Sequence, residues 1–479
     1  MINLIRYFYR YTSLLYTLRT YINSYEENNV HDIILLDVLI DKIKTCGSVA
    51  IKFCQWTIPK LEIMHSEQGD IQNGSKPLWL KKLENFYENC DTHEIKYTLN
   101  TYKSSFNRDL TSDYEILDII GSGSIGQVYL LQEKPLTPYT TPKKYVMKTL
   151  HPRVKNEIYY FRIYYNLIKN LSFIKRILDS KFPFDINGFI NSFEEQSDFI
   201  NESNHLLQFR EYYKNNDMII IPRLLKNSSD IMIMSYEEGV TFDELECDKY
   251  NKYKIALLLT SFVRNNQQIT NMIHGDLHKG NWKVREVNNK YKLVVYDFGF
   301  SWRVPDNKTF GNSMVSEIFE DSDEIDINTD KMTELFKFLI INGGKKTEVI
   351  KEYLTDNINY IRPWNLDPHR IFNLTVKMCV QENMKIDPIL IQSIILIIQC
   401  QKIFIEYNML STDEHKISSR EVYRKKYLDW LAYYKSNDIF HDYSKLIIDK
   451  LNKEQTEINN LFDCNEMPES IKKIALKNI

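Results

Sequence analysis

The chain has 479 residues, 61 Lys and Arg against 64 Asp and Glu, a formal net charge of −3 and 43% hydrophobic residues. That length holds a two-lobed core of about 250 to 300 residues plus extensions, and the near-neutral charge argues against nucleic acid or an anionic membrane as the main partner. Seven scattered cysteines without a C-x-x-C argue against a disulfide framework or a zinc site and fit an intracellular reducing compartment.

In chain order, residues 1–110 are predicted to form a helical extension, interrupted by a polar stretch near Ser66 to Lys76 and restarting at Leu78. The first 25 residues carry Arg6, Arg10 and Arg19 and no acid before Glu26. A docking helix of the extension is favoured there over an interfacial or targeting helix, which leaves peripheral membrane contact as an option.

Residues 111–240 are predicted as a small lobe. The strand-like Tyr114-Glu-Ile-Leu-Asp-Ile-Ile leads into Gly121, Ser122, Gly123, Ser124, Gly126 and Val128, which fit G-x-G-x-x-G-x-V. A second strand follows, so the pattern reads strand, glycine turn, strand: a flap over phosphates and not a Rossmann turn. A Pro/Thr-rich loop (Glu133 to Lys144) precedes the apolar strand Tyr145-Val-Met-Lys148-Thr-Leu. A lone lysine on a buried strand is costly unless paired, and Lys148 is assigned to the α- and β-phosphates. His151 is expected to cap that strand. One or two extra helices are expected over about 152–182. A helix from about Ile186 to Phe209 would then place Glu195, Asp198 and Glu202 on one face, with Glu195 or Glu202 pairing with Lys148. The strand Ile231 to Gly239 would carry Met234 and Tyr236 beside an adenine.

Residues 241–479 are predicted as a mostly helical large lobe. His274-Gly-Asp-Leu-His-Lys-Gly-Asn281 is followed sixteen residues later by Asp297-Phe-Gly. Asp276 precedes Asn281 by five residues, the spacing of a kinase catalytic loop. In that chemistry Asp276 orients or deprotonates the attacking hydroxyl, and Asn281 and Asp297 hold Mg²⁺ on the nucleotide. His278 is expected to stabilise the loop. The acidic run from Asp321 reads as a solvated loop. The apolar run 389–398 is too short to cross a bilayer and is expected to be a buried helix.

Several segments together resemble the UbiB/ADCK (aarF-domain-containing) atypical kinases. Gly47-Ser-Val-Ala-Ile-Lys52-Phe-Cys-Gln55 resembles their K-x-G-Q signature, and Ser124-Ile-Gly-Gln-Val resembles the end of their alanine-rich loop. Asp198-Phe-Ile-Asn-Glu202-Ser-Asn resembles their E-L-D-x-x-x-E-A-x-N helix, and His274 to Asn281 resembles H-A-D-P-H-P-G-N. There are departures. Cys54 replaces the K-x-G-Q glycine, Gly121 and Gly123 replace alanines, and Gln196 replaces the first acid of E-x-D. The resemblance implies an α+β, two-lobed protein-kinase-like fold, with an antiparallel-sheet small lobe, a mainly helical large lobe and the helical extension. It implies ATP and Mg²⁺ as cofactors and an extension whose Lys52 and Gln55 gate the site, with Lys52 meeting the E-x-D acids. It also implies a link to lipid or isoprenoid-quinone metabolism, with a lipid-linked small molecule or a protein as acceptor and a mitochondrial or membrane-peripheral place among the options. The alternatives are a small-molecule kinase of the aminoglycoside/choline kinase type and a nucleotide-binding scaffold without activity.

Overall fold

The computed structural model describes residues 2–28, 31–66, 78–84, 90–135, 141–180, 182–288, 290–304, 329–357 and 368–407. The polar stretch from 67 to 76, the tip of the Pro/Thr-rich loop, the acidic run from Asp321 and everything beyond 407 lie outside the described residues.

The extension is helical: α1 (Ile2–Asn28), α2 (Ile33–Cys46), α3 (Ser48–Ser66) and α4 (Leu78–Glu84). The arginine-bearing first stretch is a docking helix. Its Tyr7 and Tyr11 stack at 4.4 Å and are buried with Cys46, Ala50 and Tyr164. A second small core joins α2, α3 and α4 through Leu36, Leu39, Ile58 and Leu80. Between α2 and α3, Gly47 takes φ 90°, and a Cβ there would sit 2.7 Å from the Glu157 carboxylate. That carboxylate accepts the Ser48 N–H at 3.0 Å and so caps α3. Val49, Trp56 and Ile63 of α3 reach into the main core.

The small lobe contains α5 (Ile95–Phe106), α6 (Leu110–Asp113) and strands β1 (Tyr114–Ser122), β2 (Gly126–Glu133), β3 (Lys144–Leu150), β5 (Leu224–Asn227) and β6 (Ile231–Ser235), while β4 (Ile219–Ile220) joins a separate three-stranded sheet. Five of the strands make an antiparallel sheet in the order β1-β2-β3-β6-β5. One face buries Tyr129, Leu131, Tyr145, Met147, Ile231 and Ile233 with Tyr102 of α5. Side chains alternate along a strand, so Lys148 projects from the other face.

Between β3 and β4 lie α7 (Val154–Ile168), α8 (Ser172–Ser180), α9 (Ile186–Gln196) and α10 (Phe199–Tyr212). The first two are the extra helices expected over 152–182, and α7 packs on α1 and α3. The single helix expected from Ile186 to Phe209 is two helices. Ser197 Oγ donates to Glu194 O at 2.7 Å, and the Asp198 carboxylate accepts the Ile200 N–H at 3.0 Å. Short polar side chains compete with the helix ladder in this way. Here they end α9 and cap α10, so Glu195, Asp198 and Glu202 do not share a face.

In the large lobe, α11 (Lys249–Asn265) precedes β7 (Met272–His274), β8 (Trp282–Val287), β9 (Lys290–Val295) and β10 (Ser301–Arg303). Antiparallel pairing of β10 on β7 sets Ser301 opposite His274, which ties the segment before Asp276 to the one after Asp297. Helices Thr329–Leu339, Thr347–Asp356, Pro368–Gln381 and Leu390–Glu406 follow. The last contains the apolar run, with Ile391, Ile394, Ile395 and Ile398 buried. Among the described residues no helix is long and apolar enough to cross a membrane. A strand lobe beside a helical lobe, with a helical extension against both, makes an α+β, two-lobed kinase-like fold.

Asp198→Ala removes the α10 cap and is expected to cost about 1 kcal/mol, read as a lower urea midpoint with unchanged slope. Asp198→Asn, which keeps the cap, should stay near the parent. Glu195→Ala, on an exposed position, should leave the midpoint in place.

Candidate active site

The site is built around an ammonium held by carboxylates. Lys148 Nζ lies 2.6 and 2.8 Å from the two carboxylate oxygens of Glu202 and 3.3 Å from Asp297 Oδ1. Glu202 is 2% exposed and reaches β3 because α10 restarts at Asp198. Burial works against the Lys148 charge, but Asp297 and Glu202 hold its pKa above the ordinary lysine range. Burial pushes Glu202 up to about 7, against the pull of Lys148. Burial also disfavours the Asp297 carboxylate, yet Lys148 and Lys52 hold it well below the usual range. Of the three acids offered to Lys148 by sequence, Glu202 makes the pair. Asp198 is a helix cap, and Glu195 is exposed on α9.

The catalytic loop leaves β7 through Gly275. Its N–H donates to Phe300 O at 2.7 Å, and its carbonyl accepts from Gln392 Nε2 at 2.9 Å. A Cβ at 275 would fall 2.1 Å from the Trp302 ring, so the alanine of the resembling signature does not fit beside this tryptophan. Asn281 Nδ2 donates to Asp276 O at 2.7 Å, which commits the amide nitrogen and leaves Oδ1 for another partner. His278 Nδ1 accepts the Gly280 N–H at 3.1 Å, the loop-stabilising role expected of it, and its Nε2 lies 4.0 Å from Asp276 Oδ1. Asp297 takes φ 53°. Phe298 is buried, with ring centroids 5.0 Å from Phe209 and 5.2 Å from His274. This packing anchors the turn that presents Asp297. An ionised carboxylate and an amide oxygen with its nitrogen committed are hard oxygen donors that suit Mg²⁺.

The glycine loop joins β1 and β2, with Gly121 opposite Val128, Ser122 opposite Gln127, and Gly123 N–H on Gly126 O at 3.0 Å. Gly126 is required by contact: a Cβ there would sit 2.7 Å from Thr149 O and 3.2 Å from the Phe199 ring. The nearest atoms to a Cβ at Gly121 or Gly123 are 3.9 Å away, and neither glycine has a positive φ. The loop therefore keeps a shape that alanine could adopt. At the far end of the sheet, Met234 lies inside β6 between β3 and β5, and Tyr236 gives its N–H to Lys144 O at 3.3 Å.

One turn of α3 touches both lobes. Lys52 Nζ lies 3.3 Å from Asp276 Oδ2, and Ser124 Oγ donates to Gln55 Oε1 at 3.1 Å. Residues three apart on a helix are neighbours, so α3 clips the catalytic loop to the glycine loop. Burial disfavours ionisation of Asp276, and Lys52 with His278 more than compensates, holding it below the usual carboxylate range. The resemblance had led Lys52 to the E-x-D acids. Instead Gln196 is a buried amide bonded to Ser192 O at 3.1 Å, and the lysine goes to Asp276. Cys54, at the K-x-G-Q glycine position, packs among the apolar residues of the extension core, where burial pushes its thiol up to about 12.

Two groups escaped the sequence reading. The Glu157 cap on α3 joins residues 109 positions apart and has no local signal. His151 does not cap β3; its Nε2 lies 3.0 Å from Gly123 O. The helix break did have a signal, since Ser-Asp followed by an apolar residue is a helix start.

Gly126→Ala is expected to destabilise the chain by about 1 to 3 kcal/mol through overpacking, whereas Gly121→Ala and Gly123→Ala should each stay within about 0.5 kcal/mol. Urea unfolding of the three variants checks the contrast.

A family model, the ABC1 atypical kinase-like domain, matches residues 85–327. A probable serine/threonine-protein kinase, abkC, of Dictyostelium discoideum is 28% identical over 255 residues, covering 52% of this chain and 34% of that protein. The chloroplastic protein ACTIVITY OF BC1 COMPLEX KINASE 7 of Arabidopsis thaliana is 23% identical over 212 residues, covering 42% of this chain and 28% of that protein. The chain thus spans about a third of the length of these curated relatives. Among solved structures, a Mycobacterium tuberculosis protein in complex with erythromycin is 15% identical, with a TM-score of 0.41, covering 70% of this chain and 89% of that one. Because the family match spans more than half of its residues, the chain belongs to the ABC1 atypical kinase-like family.

Proposed function

We propose that the protein is a UbiB/ADCK-type atypical kinase or ATPase that binds Mg-ATP between its lobes, with α3 restraining the catalytic loop. The observation that carries the reading is the double engagement of Lys148 by Glu202 and Asp297. This is the arrangement a phosphate-binding lysine needs beside a metal-binding acid. Gly121 to Val128 would cover the phosphates, and Lys148 would align the α- and β-phosphates. Asn281 Oδ1 and the Asp297 carboxylate would hold magnesium, which supplies neutralisation of charge on the transferred phosphoryl group. Met234 and Tyr236 would border the adenine.

Asp276 is the group to orient or deprotonate an attacking hydroxyl or water. Its lowered pKa keeps it ionised at neutral pH, but one of its oxygens is engaged by Lys52. Freeing that oxygen requires α3 to shift or Lys52 to swing away. Between α3, α9 and the catalytic loop lies a cleft lined by Gln55, Trp56, Phe189, Gln196, Asp276 and Gln392, where an acceptor would meet Asp276. A lipid-linked small molecule or a protein hydroxyl is the acceptor, and the link to isoprenoid-quinone metabolism rests on the family resemblance. The relative named as a serine/threonine kinase supports phosphoryl transfer, and the chloroplastic one supports an organellar address. The silent-scaffold reading is disfavoured because Lys148, Asp276, Asn281 and Asp297 are all present and in mutual register.

The test is Mg²⁺-dependent ATP turnover by the full chain, with and without liposomes or a generic protein acceptor. Turnover is expected, and Asp297→Ala should abolish it. Nucleotide binding without turnover would move the assignment to the scaffold. Lys52→Ala is expected to raise turnover about tenfold, the size of one charge-assisted hydrogen bond of about 1.4 kcal/mol. Because Lys52 depresses the Asp276 pKa, its removal should also move the acidic limb of the activity profile to higher pH. An unmoved limb with unchanged turnover would overturn the restraint.

A further inference from the structure

A largely buried network of neutral side chains runs from behind the glycine loop into it, apart from the residues assigned above to metal or base. His151 Nε2 lies 3.0 Å from Gly123 O, and His151 Nδ1 lies 2.8 Å from His93 Nδ1. His93 Nε2 is 2.8 Å from Thr98 Oγ1, which is 2.7 Å from the Tyr129 hydroxyl. Gln127 Nε2 donates to that hydroxyl at 2.8 Å, and Gln127 Oε1 accepts the His93 N–H at 2.8 Å. Thr98, Gln127 and Tyr129 are fully buried.

The chemistry fixes the direction of every bond. A carbonyl can only accept, so His151 Nε2 carries hydrogen, and in the neutral ring its Nδ1 accepts. His93 Nδ1 must then donate, which makes His93 Nε2 the acceptor for the Thr98 hydroxyl. Thr98 accepts from Tyr129, and Tyr129 accepts from Gln127. Each group is used in one sense, and reversing any bond leaves a buried donor or acceptor unmet. The same chain segment holds the loop twice more: Cys90 N–H donates to Ser122 O and Ser122 Oγ to Asp91 O, both at 3.1 Å. His151 N–H also donates to Ile125 O at 2.8 Å. The peptide group is planar and trans, so a Gly123 carbonyl pinned on His151 aims the Ser124 N–H to the opposite side of the loop.

We infer that His93 and His151 are positioning residues for the glycine loop, with His93 acting through His151 on the Gly123 carbonyl to set the loop over nucleotide phosphates. The inference rests on the nucleotide reading above. The network works with both rings neutral. Burial keeps both pKa values below the ordinary 6.5, His93 at about 4 with the neighbouring His151 adding to the effect. The groups facing the pair are Asp91, which favours a charged His151, the Ser122 hydroxyl 3.4 Å from His151 Nε2, and the Tyr97 and Tyr129 rings. For a histidine with a lowered folded pKa, the contribution is complete above 6.5 and is lost as pH falls toward about 4.

The experiment measures Mg-ATP and adenosine affinity of the full chain by calorimetry. Adenosine carries no phosphate and does not read the loop. His93→Ala and Thr98→Val are each expected to weaken Mg-ATP about five- to tenfold, the loss of one buried hydrogen bond, while adenosine changes by less than about twofold. His93→Gln serves should His93→Ala fail to fold. Equal losses for both ligands would reduce the network to general stability, and an unchanged Mg-ATP affinity would also overturn the inference. Wild type binding neither ligand would remove the nucleotide reading, and this inference with it. From about pH 6.5 down to 4, the range over which His93 takes up its proton, the wild-type ratio of Mg-ATP to adenosine affinity should fall more steeply than in a His93→Gln/His151→Gln variant. The nucleotide's own protonation is common to both, so parallel slopes would count against neutral-ring positioning.

Discussion

The buried cation at Lys148 is the constraint on which the rest of the site depends. An ammonium on a packed strand costs several kcal/mol unless carboxylates meet it. Glu202 and Asp297 meet it from two separate elements, one from α10 and one from the turn after β9. Each supplier must be held in turn. Asp198 caps α10 so that Glu202 points at β3. Phe298 packs between Phe209 and His274 and fixes the turn bearing Asp297. The β7–β10 pairing and the Gln392 bond to Gly275 then fix the loop bearing Asp276. A chain of local devices thus runs from one charge to both lobes.

The extension belongs to this chain of supports. Helix α3 buries Trp56 and Ile63 in the main core, receives its cap from Glu157 on α7, and spends one turn on Asp276 and Ser124. Helix α7 is therefore a platform on which α3 sits. Its cap also has a use for Gly47, since a side chain there would strike the Glu157 carboxylate.

Much of this was legible in the sequence because short-range spacing carries it. The order of Gly121 to Val128, Lys148, Asp276, Asn281 and Asp297 is a linear signature, and period-two alternation in Tyr145 to Leu150 puts the lysine opposite the apolar face. The break at Ser197 and Asp198 was overridden by a long amphipathic count, although the cap residue was in plain view. The partner of Lys148 depended on that break. The roles of Glu157, His93 and His151 were not legible at all. Each joins segments dozens of residues apart, and neither a lone Glu on a helix nor a His before a Pro says what it will touch.

The redirected lysine follows from counting charges. A buried or half-buried ammonium needs a carboxylate. The position that would supply an acid from α9 is Gln196, an amide that satisfies itself on Ser192. The neighbouring Glu195 is turned to solvent by the helix period. Asp276 is then the carboxylate that Lys52 pairs with, and pairing there serves both partners, since it lowers the Asp276 pKa while satisfying the lysine. An amide at position 196 of α9 thereby leaves the extension tied to Asp276, the proposed base. In such an arrangement, freeing Asp276 also takes from Lys52 the carboxylate it pairs with. Drawing α3 away then favours another negative charge for Lys52, and on the proposed nucleotide reading the phosphates under the glycine loop would supply it.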